Sequence, residues 1–289
     1  MLERSIRFAS QIVTNNVTPR SRAWPCGTTR RGALSWAHDR LLNDKPKMLS
    51  PAFTYPKQLA TVLRQQGYAV LSPDGVCELA HCSLDALQAL NSGWDDLPAD
   101  AYLRDGGRYR RRRHACFIVD GAKVQAVAHR AHWQPLQYNA LHGGMQRWFE
   151  PMLPQALQAP AWPLLLRAVG DVTSQLRGQQ PWHVEAHQFR IDTTDGIGRP
   201  TPEGAHRDGV DLVAVFLVAR AGVKGGESRV FEADGPNGQR FTLTEPWSLL
   251  LLDDARVIHE STPIQPEGDP AGHRDTLVLT YRAGGFQQA

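Results

Sequence analysis

The sequence lacks any stretch near the roughly 20 apolar residues that a membrane-crossing helix requires. Leu249 to Leu252, beside Asp253 and Asp254, reads as a buried strand rather than a membrane segment. Cysteine is scarce. Cys26, Cys77, Cys82 and Cys116 form no Cys-x-x-Cys pair and no zinc-finger spacing, and Cys77 and Cys82 stand five apart. With no apolar signal core at the start, reduced thiols in a cytoplasmic protein are expected. There is no phosphate-binding glycine loop: Gly143-Gly144 and Gly225-Gly226 lack the Lys-Ser/Thr partner. There is no Gly-x-Ser-x-Gly elbow for a serine nucleophile either.

Most of the chain also has no strong charge imbalance. The formal charge is +3, but residues 1–47 hold nine Lys/Arg against three Asp/Glu, which leaves the remainder at −3. The basic balance belongs to this leader and does not point to nucleic acid. The leader is polar and without amphipathic period. It reads as a disordered or targeting arm, or as an extension preceding a natural start at Met48. Residues 48–289 read as one catalytic domain.

What is present is a chain of two characters. Leu59, Val62 and Leu63 recur at helical spacing between Pro56 and Gly67, so a helix is predicted over 55–66, followed by a strand at 68–71 and a turn at Ser72-Pro-Asp-Gly75. Further helices are predicted over 84–90, 136–149 and 162–176. Trp133, Trp148, Trp162 and Trp182 read as core or pocket walls. The second half is a series of short β-rich segments, at 187–192, 212–220, 228–232, 240–244, 247–252, 256–258 and 276–282, punctuated by Gly, Pro, Asp and Asn. That pattern predicts a mainly β fold with flanking helices: a jelly roll, the cupin-like double-stranded β-helix.

Within the β-rich half, His206 and Asp208 are two apart, so an extended backbone turns both side chains the same way. His259 follows 51 residues after Asp208, with about four predicted strands between. Two imidazoles and one carboxylate on one face of an iron leave three positions open, enough for a bidentate 2-oxo acid and dioxygen. Arg274 lies 15 residues beyond His259, and Thr276 shares its strand face. A guanidinium fork beside a hydroxyl suits the distal carboxylate of 2-oxoglutarate. Arg282 is a second candidate for that role. Each histidine alone is more often a core or loop residue; the ordered set of four makes a metal site the better reading.

Other charged residues are weaker candidates for contact with a substrate. Arg108-Tyr-Arg-Arg-Arg-Arg113 reads as a solvated face or as a strand with Arg111 and Arg113 on one side and Arg110 and Arg112 on the other. We expect Arg111 and Arg113 to meet an anionic substrate. Arg190 is expected either at a substrate carboxylate or in an internal ion pair, and Asp211 at a substrate amine or in a turn. His129 and His132, with no carboxylate near in sequence, read as a surface pair, and the strand-like setting of His187 rules out a helical metal pair with His183.

The segment Glu203-Gly-Ala-His-Arg-Asp-Gly-Val-Asp211, with Pro202 before it and Gly225-Gly-Glu-Ser228 after, resembles a bacterial dioxygenase family. The likeness extends to His187-Gln-Phe-Arg190, to Asn139, Gly143, Gly144, Arg147 and Phe149, and to the arginines at 108–113, covering roughly residues 55–283. The family is the iron(II)/2-oxoglutarate dioxygenases that include the isoleucine hydroxylases and relatives linked to biofilm and stress. The resemblance implies Fe(II), with 2-oxoglutarate and O2 as cosubstrates and succinate and carbon dioxide as products. It also implies a small-molecule substrate, a free aliphatic amino acid that is hydroxylated or oxidised at sulfur. His206, Asp208 and His259 match the family's ligand positions and Arg274 its 2-oxoglutarate anchor. No nucleic-acid or membrane partner is expected. Two other readings remain open at this level: a cupin-like metal enzyme that does not use 2-oxoglutarate, and a non-catalytic metal- or small-molecule-binding regulator.

Overall fold

The structure is a computed structural model and describes residues 49–289; the leader lies outside the described residues. The helices are α1 (Leu59–Gln66), α2 (Pro73–Ala80), α3 (Leu84–Gln88), α4 (Pro154–Leu157) and α5 (Ala161–Arg177). The strands of the first half are β1 (Tyr68–Leu71), β2 (Arg110–Asp120), β3 (Lys123–Ala126) and β4 (Trp182–Asp192). Those of the second are β5 (Leu212–Ala221), β6 (Val223–Gly225), β7 (Ser228–Glu232), β8 (Gly238–Phe241), β9 (Leu249–Asp253), β10 (Val257–Ser261), β11 (Ile264–Pro266) and β12 (His273–Arg282). No helix among the described residues is long and apolar enough to cross a membrane.

Seven strands form an antiparallel sheet in the order β1-β9-β5-β12-β4-β2-β3, and the smaller sheets are β10-β7-β8 and β11-β6. Because side chains alternate along each strand, the large sheet has two faces of different chemistry. One carries Val184, Ala186, Leu277, Leu279, Ala214, Phe216, Leu249 and Leu251 into a core shared with the helices. In α5, Trp162, Leu165, Leu166, Val169 and Val172 recur three and four apart and bury one stripe against that core. The other face carries Ile191, Phe189, His187 and Glu185 of β4, Arg274, Thr276, Val278 and Thr280 of β12, and Arg110 and Arg112 of β2. These residues line a cavity between the large sheet and β10.

The β-rich half follows the predicted segments closely, and the fold is mainly β with a jelly-roll core. Three local expectations fail. Ser72-Pro-Asp-Gly75 begins α2 instead of turning: Ser72 Oγ accepts from Gly75 N at 3.1 Å and Pro73 occupies the first turn. Residues 136–149 form turns, not a helix. Asn139 Oδ1 takes the His142 amide at 2.7 Å, and Gly144 adopts φ +72°, both of which compete with helical bonding. The first half is less helical than expected, since β2, which begins in the arginine run open to a strand reading, extends to Asp120 and pairs with β3. Trp162 and Trp182 are buried as expected, whereas Trp148 is 53% exposed. Cys77, Cys82 and Cys116 are free thiols.

Candidate metal centre

The loop from 203 to 211 brings His206 against β10. His206 N donates to His259 O at 3.0 Å, and His259 N returns the bond to His206 O at 2.9 Å. This single reciprocal bridge sets two imidazoles, 53 positions apart in the chain, side by side with ring centroids 4.6 Å apart. Asp208 completes the group. Its Oδ1 is 3.9 Å from His206 Nε2 and its Oδ2 is 3.7 Å from His259 Nε2. One donor atom from each of the three lies within 4.8 Å of the others.

The loop is held from below by Asp254, which is fully buried. Its Oδ1 accepts from Asp208 N at 2.9 Å, and its Oδ2 accepts from Gly209 N at 2.7 Å and Val210 N at 3.1 Å. Gly209 has φ +75°, a backbone state that favours glycine and that turns these amides toward Asp254. Burial and the charge of Asp208 push the Asp254 carboxyl up to about 6, with the three amides pulling the other way. Gln287 Nε2 closes the loop from above, donating to the carbonyls of Asp208 and Gly209, each at 2.9 Å.

The imidazoles are set for a cation. His206 Nδ1 donates to Gly204 O at 2.9 Å, which places the lone pair on Nε2, toward Asp208. Burial alone would lower the His206 pKa, but Asp208 and Glu203 more than offset it, so the net shift is upward. Burial and the neighbouring His206 hold His259 well below its ordinary value, so it stays neutral and able to bind metal. Two imidazole nitrogens and a carboxylate oxygen, grouped at the edge of a cavity, fit an iron(II) ion in type and number.

Across the cavity stands Arg274, 4% exposed. Among the described residues no ion pair reaches it, and its Nε has no acceptor. Burial first, then the nearby Arg220, pulls its pKa down to about 10. Thr276 lies beside it on the same strand face. A buried guanidinium without a carboxylate partner is costly and attracts an anion. Arg282 is not on this cavity and donates to Gly285 O at 2.5 Å.

The other sequence candidates lie elsewhere. Arg111 and Arg113 face away from the cavity. Arg111 is half exposed, 3.5 Å from Asp192, while Arg113 donates to the carbonyls of Asp96 and Pro151. The strand alternation separates the two pairs as expected, but Arg110 and Arg112, not Arg111 and Arg113, turn to the cavity. Arg110 and Arg112 pair in register with Ile191 and Phe189 and line the cavity with them. Arg190 forms a two-pronged ion pair with Asp275, at 2.8 and 2.7 Å. Asp211 accepts from Ala283 N at 2.8 Å and lies 3.7 Å from Arg177. Both serve the framework.

Sequence reading also missed a second group. His132 is not on the surface: its Nδ1 donates to Glu185 at 2.9 Å, and His114 Nε2 lies 3.4 Å from the same carboxylate. His187 stacks on His114 with centroids 4.6 Å apart. Arg112, sandwiched between the Phe149 and Phe189 rings, donates to His187 Nδ1 at 2.7 Å. Burial lowers the pKa of His114, His132 and His187, and these groups, being neutral, bracket an ionised Glu185. Although four potential donors meet here, His187 receives a guanidinium proton on Nδ1, and its Nε2 therefore carries the hydrogen instead of a lone pair. The group belongs to the polar wall of the cavity.

Residues 91–280 match the family model described as 2OG-Fe dioxygenase. The chain belongs to this family. The enzyme is a 2-oxoglutarate-dependent dioxygenase, using Fe(II), 2-oxoglutarate and O2. Among solved structures it is similar to a BsmA homologue from Methylobium petroleophilum PM1, 53% identical over 83% of this chain and 97% of that one, with a TM-score of 0.79. It shares its fold with IDO from Bacillus thuringiensis, at 18% identity over 81% and 100% of the two chains and a TM-score of 0.64. The same holds for the Fe(II)/α-ketoglutarate-dependent dioxygenase TqaL, at 17% identity over 81% and 90%, with a TM-score of 0.62. No curated protein matches the chain.

Proposed function

We propose that the dioxygenase hydroxylates, or oxidises at sulfur, a small free amino acid, with His206, Asp208 and His259 as iron ligands and Arg274 with Thr276 as the 2-oxoglutarate anchor. The observation that carries this reading is that the three metal-type donors and an unmatched buried guanidinium line one cavity. A dicarboxylate spanning them would chelate at one end and neutralise Arg274 at the other.

When bound, Fe(II) with 2-oxoglutarate supplies the oxidation of the substrate, releasing succinate and carbon dioxide. The chain supplies the rest. Gly204 sets the His206 tautomer, Asp254 fixes the Asp208 backbone, and Gln134 donates to Asp208 Oδ1 at 3.1 Å. Val213, Val215 and Val278 form a dry wall beside the triad, which keeps water from the reacting carbon. The resemblance to the isoleucine hydroxylases supports an aliphatic substrate.

Anaerobic titration with Fe(II) and then 2-oxoglutarate tests the reading. A visible charge-transfer band that needs both additions is expected, followed by succinate release in a screen of amino acids. Iron binding without such a band would overturn the cosubstrate assignment.

A further inference from the structure

The cavity continues past the triad to a polar wall. Three guanidiniums stand there, Arg110, Arg112 and Arg147, together with the carboxylates of Glu185 and Glu203, and the buried Asp100 backs the first two arginines. Most are matched. Asp100 takes Arg110 at 2.7 Å and Arg112 at 3.7 Å. Glu185 takes His132 and His114.

Two groups of opposite sign are not matched. Arg147 is 2% exposed, and among the described residues no carboxylate pairs with it. Its Nη2 donates to the neutral Gln134 Oε1 at 2.8 Å, and its Nε has no acceptor. Glu203 has an 11% exposed side chain, and its Oε2 has no donor. Its Oε1 lies 3.6 Å from His206 Nε2, but a nitrogen whose lone pair faces a metal has no proton to give. The two groups do not pair with each other, yet both line this cavity; burial lowers the Arg147 pKa to about 10, and Glu203 is near enough to oppose that shift. Leaving one buried cation and one buried anion unmatched is costly for each.

Resting on the iron and 2-oxoglutarate reading above, we propose that Arg147 and Glu203 receive the carboxylate and the ammonium of one zwitterionic guest, an α-amino acid with an uncharged side chain. Arg110 Nη2, also without an acceptor, is a second donor for the carboxylate. Charge balance selects the side chain. Counting Asp100 behind the wall, three cations meet three anions here and the imidazoles are neutral, so a guest of zero net charge preserves the balance. A lysine or glutamate side chain would bring an unmatched charge into a buried site. The apolar part of the lining, Phe189, Ile191, Val210 and the valines beside the triad, suits an aliphatic or thioether group.

The assignment also joins substrate to metal. Gln134 bonds Arg147 with its oxygen and Asp208 with its nitrogen. A carboxylate arriving at Arg147 therefore acts one amide away from a metal ligand.

The test uses the anaerobic holoenzyme loaded with Fe(II) and 2-oxoglutarate. Calorimetry compares L-isoleucine, L-leucine, L-valine and L-methionine, and then the N-acetyl and the carboxamide derivatives of the tightest binder. Each derivative is expected to bind about 30-fold more weakly or worse, since each leaves one buried charge alone. Glu203→Gln should abolish the preference for the free amine, and Arg147→Gln the preference for the free acid, both with the Fe(II)/2-oxoglutarate band retained. Derivatives that bind wild-type protein as well as the parent would overturn the proposal without need of any variant. So would loss of the band in Glu203→Gln, because Glu203 would then serve the metal, and so would a retained band with no neutral amino acid bound. Absence of the band in wild-type protein would instead sink the metal reading, and this one with it.

Discussion

Gln134 and Asp208, 74 positions apart, meet through a 3.1 Å hydrogen bond from Gln134 Nε2 to Asp208 Oδ1. The amide has only one consistent orientation. Its oxygen receives Arg147 at 2.8 Å and Asn139 at 3.3 Å, which leaves the nitrogen for the carboxylate. Asp208 therefore keeps one oxygen committed to Gln134, and Oδ2, the one nearer His259, is freer to meet a metal. Gln134→Leu should weaken iron binding by roughly 10- to 100-fold, as loss of a partner behind a metal ligand commonly does. Fe(II) titration checks this, and unchanged affinity would reduce Gln134 to a packing role.

Removal of a ligand has a larger effect. His206→Ala and His259→Ala are each expected to lose stoichiometric iron and the Fe(II)/2-oxoglutarate band together. Full activity in His259→Ala would refute the three-residue site.

Arg274 separates metal from cosubstrate. Arg274→Ala should retain iron while the 2-oxoglutarate concentration needed for the band rises about 30-fold or more, the usual scale for a buried charge left without its partner. Arg274→Lys should recover only part of it, because an ammonium lacks the planar fork. An unaltered 2-oxoglutarate requirement in the alanine variant would move the anchor elsewhere.

Asp254 does not line the cavity, yet it collects three amides of the metal loop. Asp254→Ala leaves those donors buried without acceptors, at about 1–3 kcal/mol each. Lower thermal stability and weaker iron binding are expected together. A variant with normal melting and normal iron affinity would show that the loop holds its shape unaided.

The imidazole cluster sets an acid limit. Burial holds His132 down to about 4, with Glu185 pulling against it, while the unfolded chain recovers the ordinary value of 6.5. Between those pH values the unfolded state binds more protons, so stability falls as pH drops from 6.5 to 4. Glu185, held below its ordinary range by the imidazoles despite burial, adds to the loss at lower pH. The melting temperature of metal-free protein should decline across this window, by on the order of a few kcal/mol in stability. His132→Gln should flatten the decline, and an unchanged slope would place the titrating group elsewhere.

The β-rich half, the convergence of His206 with Asp208 and the strand face shared by Arg274 and Thr276 are legible in the sequence alone. All of these follow from local rules: alternation along a strand, turn residues between strands, and spacing along the chain. Which face of β2 turns inward is settled by the packed fold and by nothing local. Residues 110–113 are all arginine, so composition could not distinguish the sides, and the pairing of Arg112 with Phe189 did. The packed fold alone decided that His132 meets Glu185 and that Gln134, Asp254 and Gln287 brace the Asp208 loop. Each of those contacts joins residues more than 40 positions apart through one to three hydrogen bonds. Such a bond has no period in the sequence, and it forms only once the sheet has fixed which strands are neighbours.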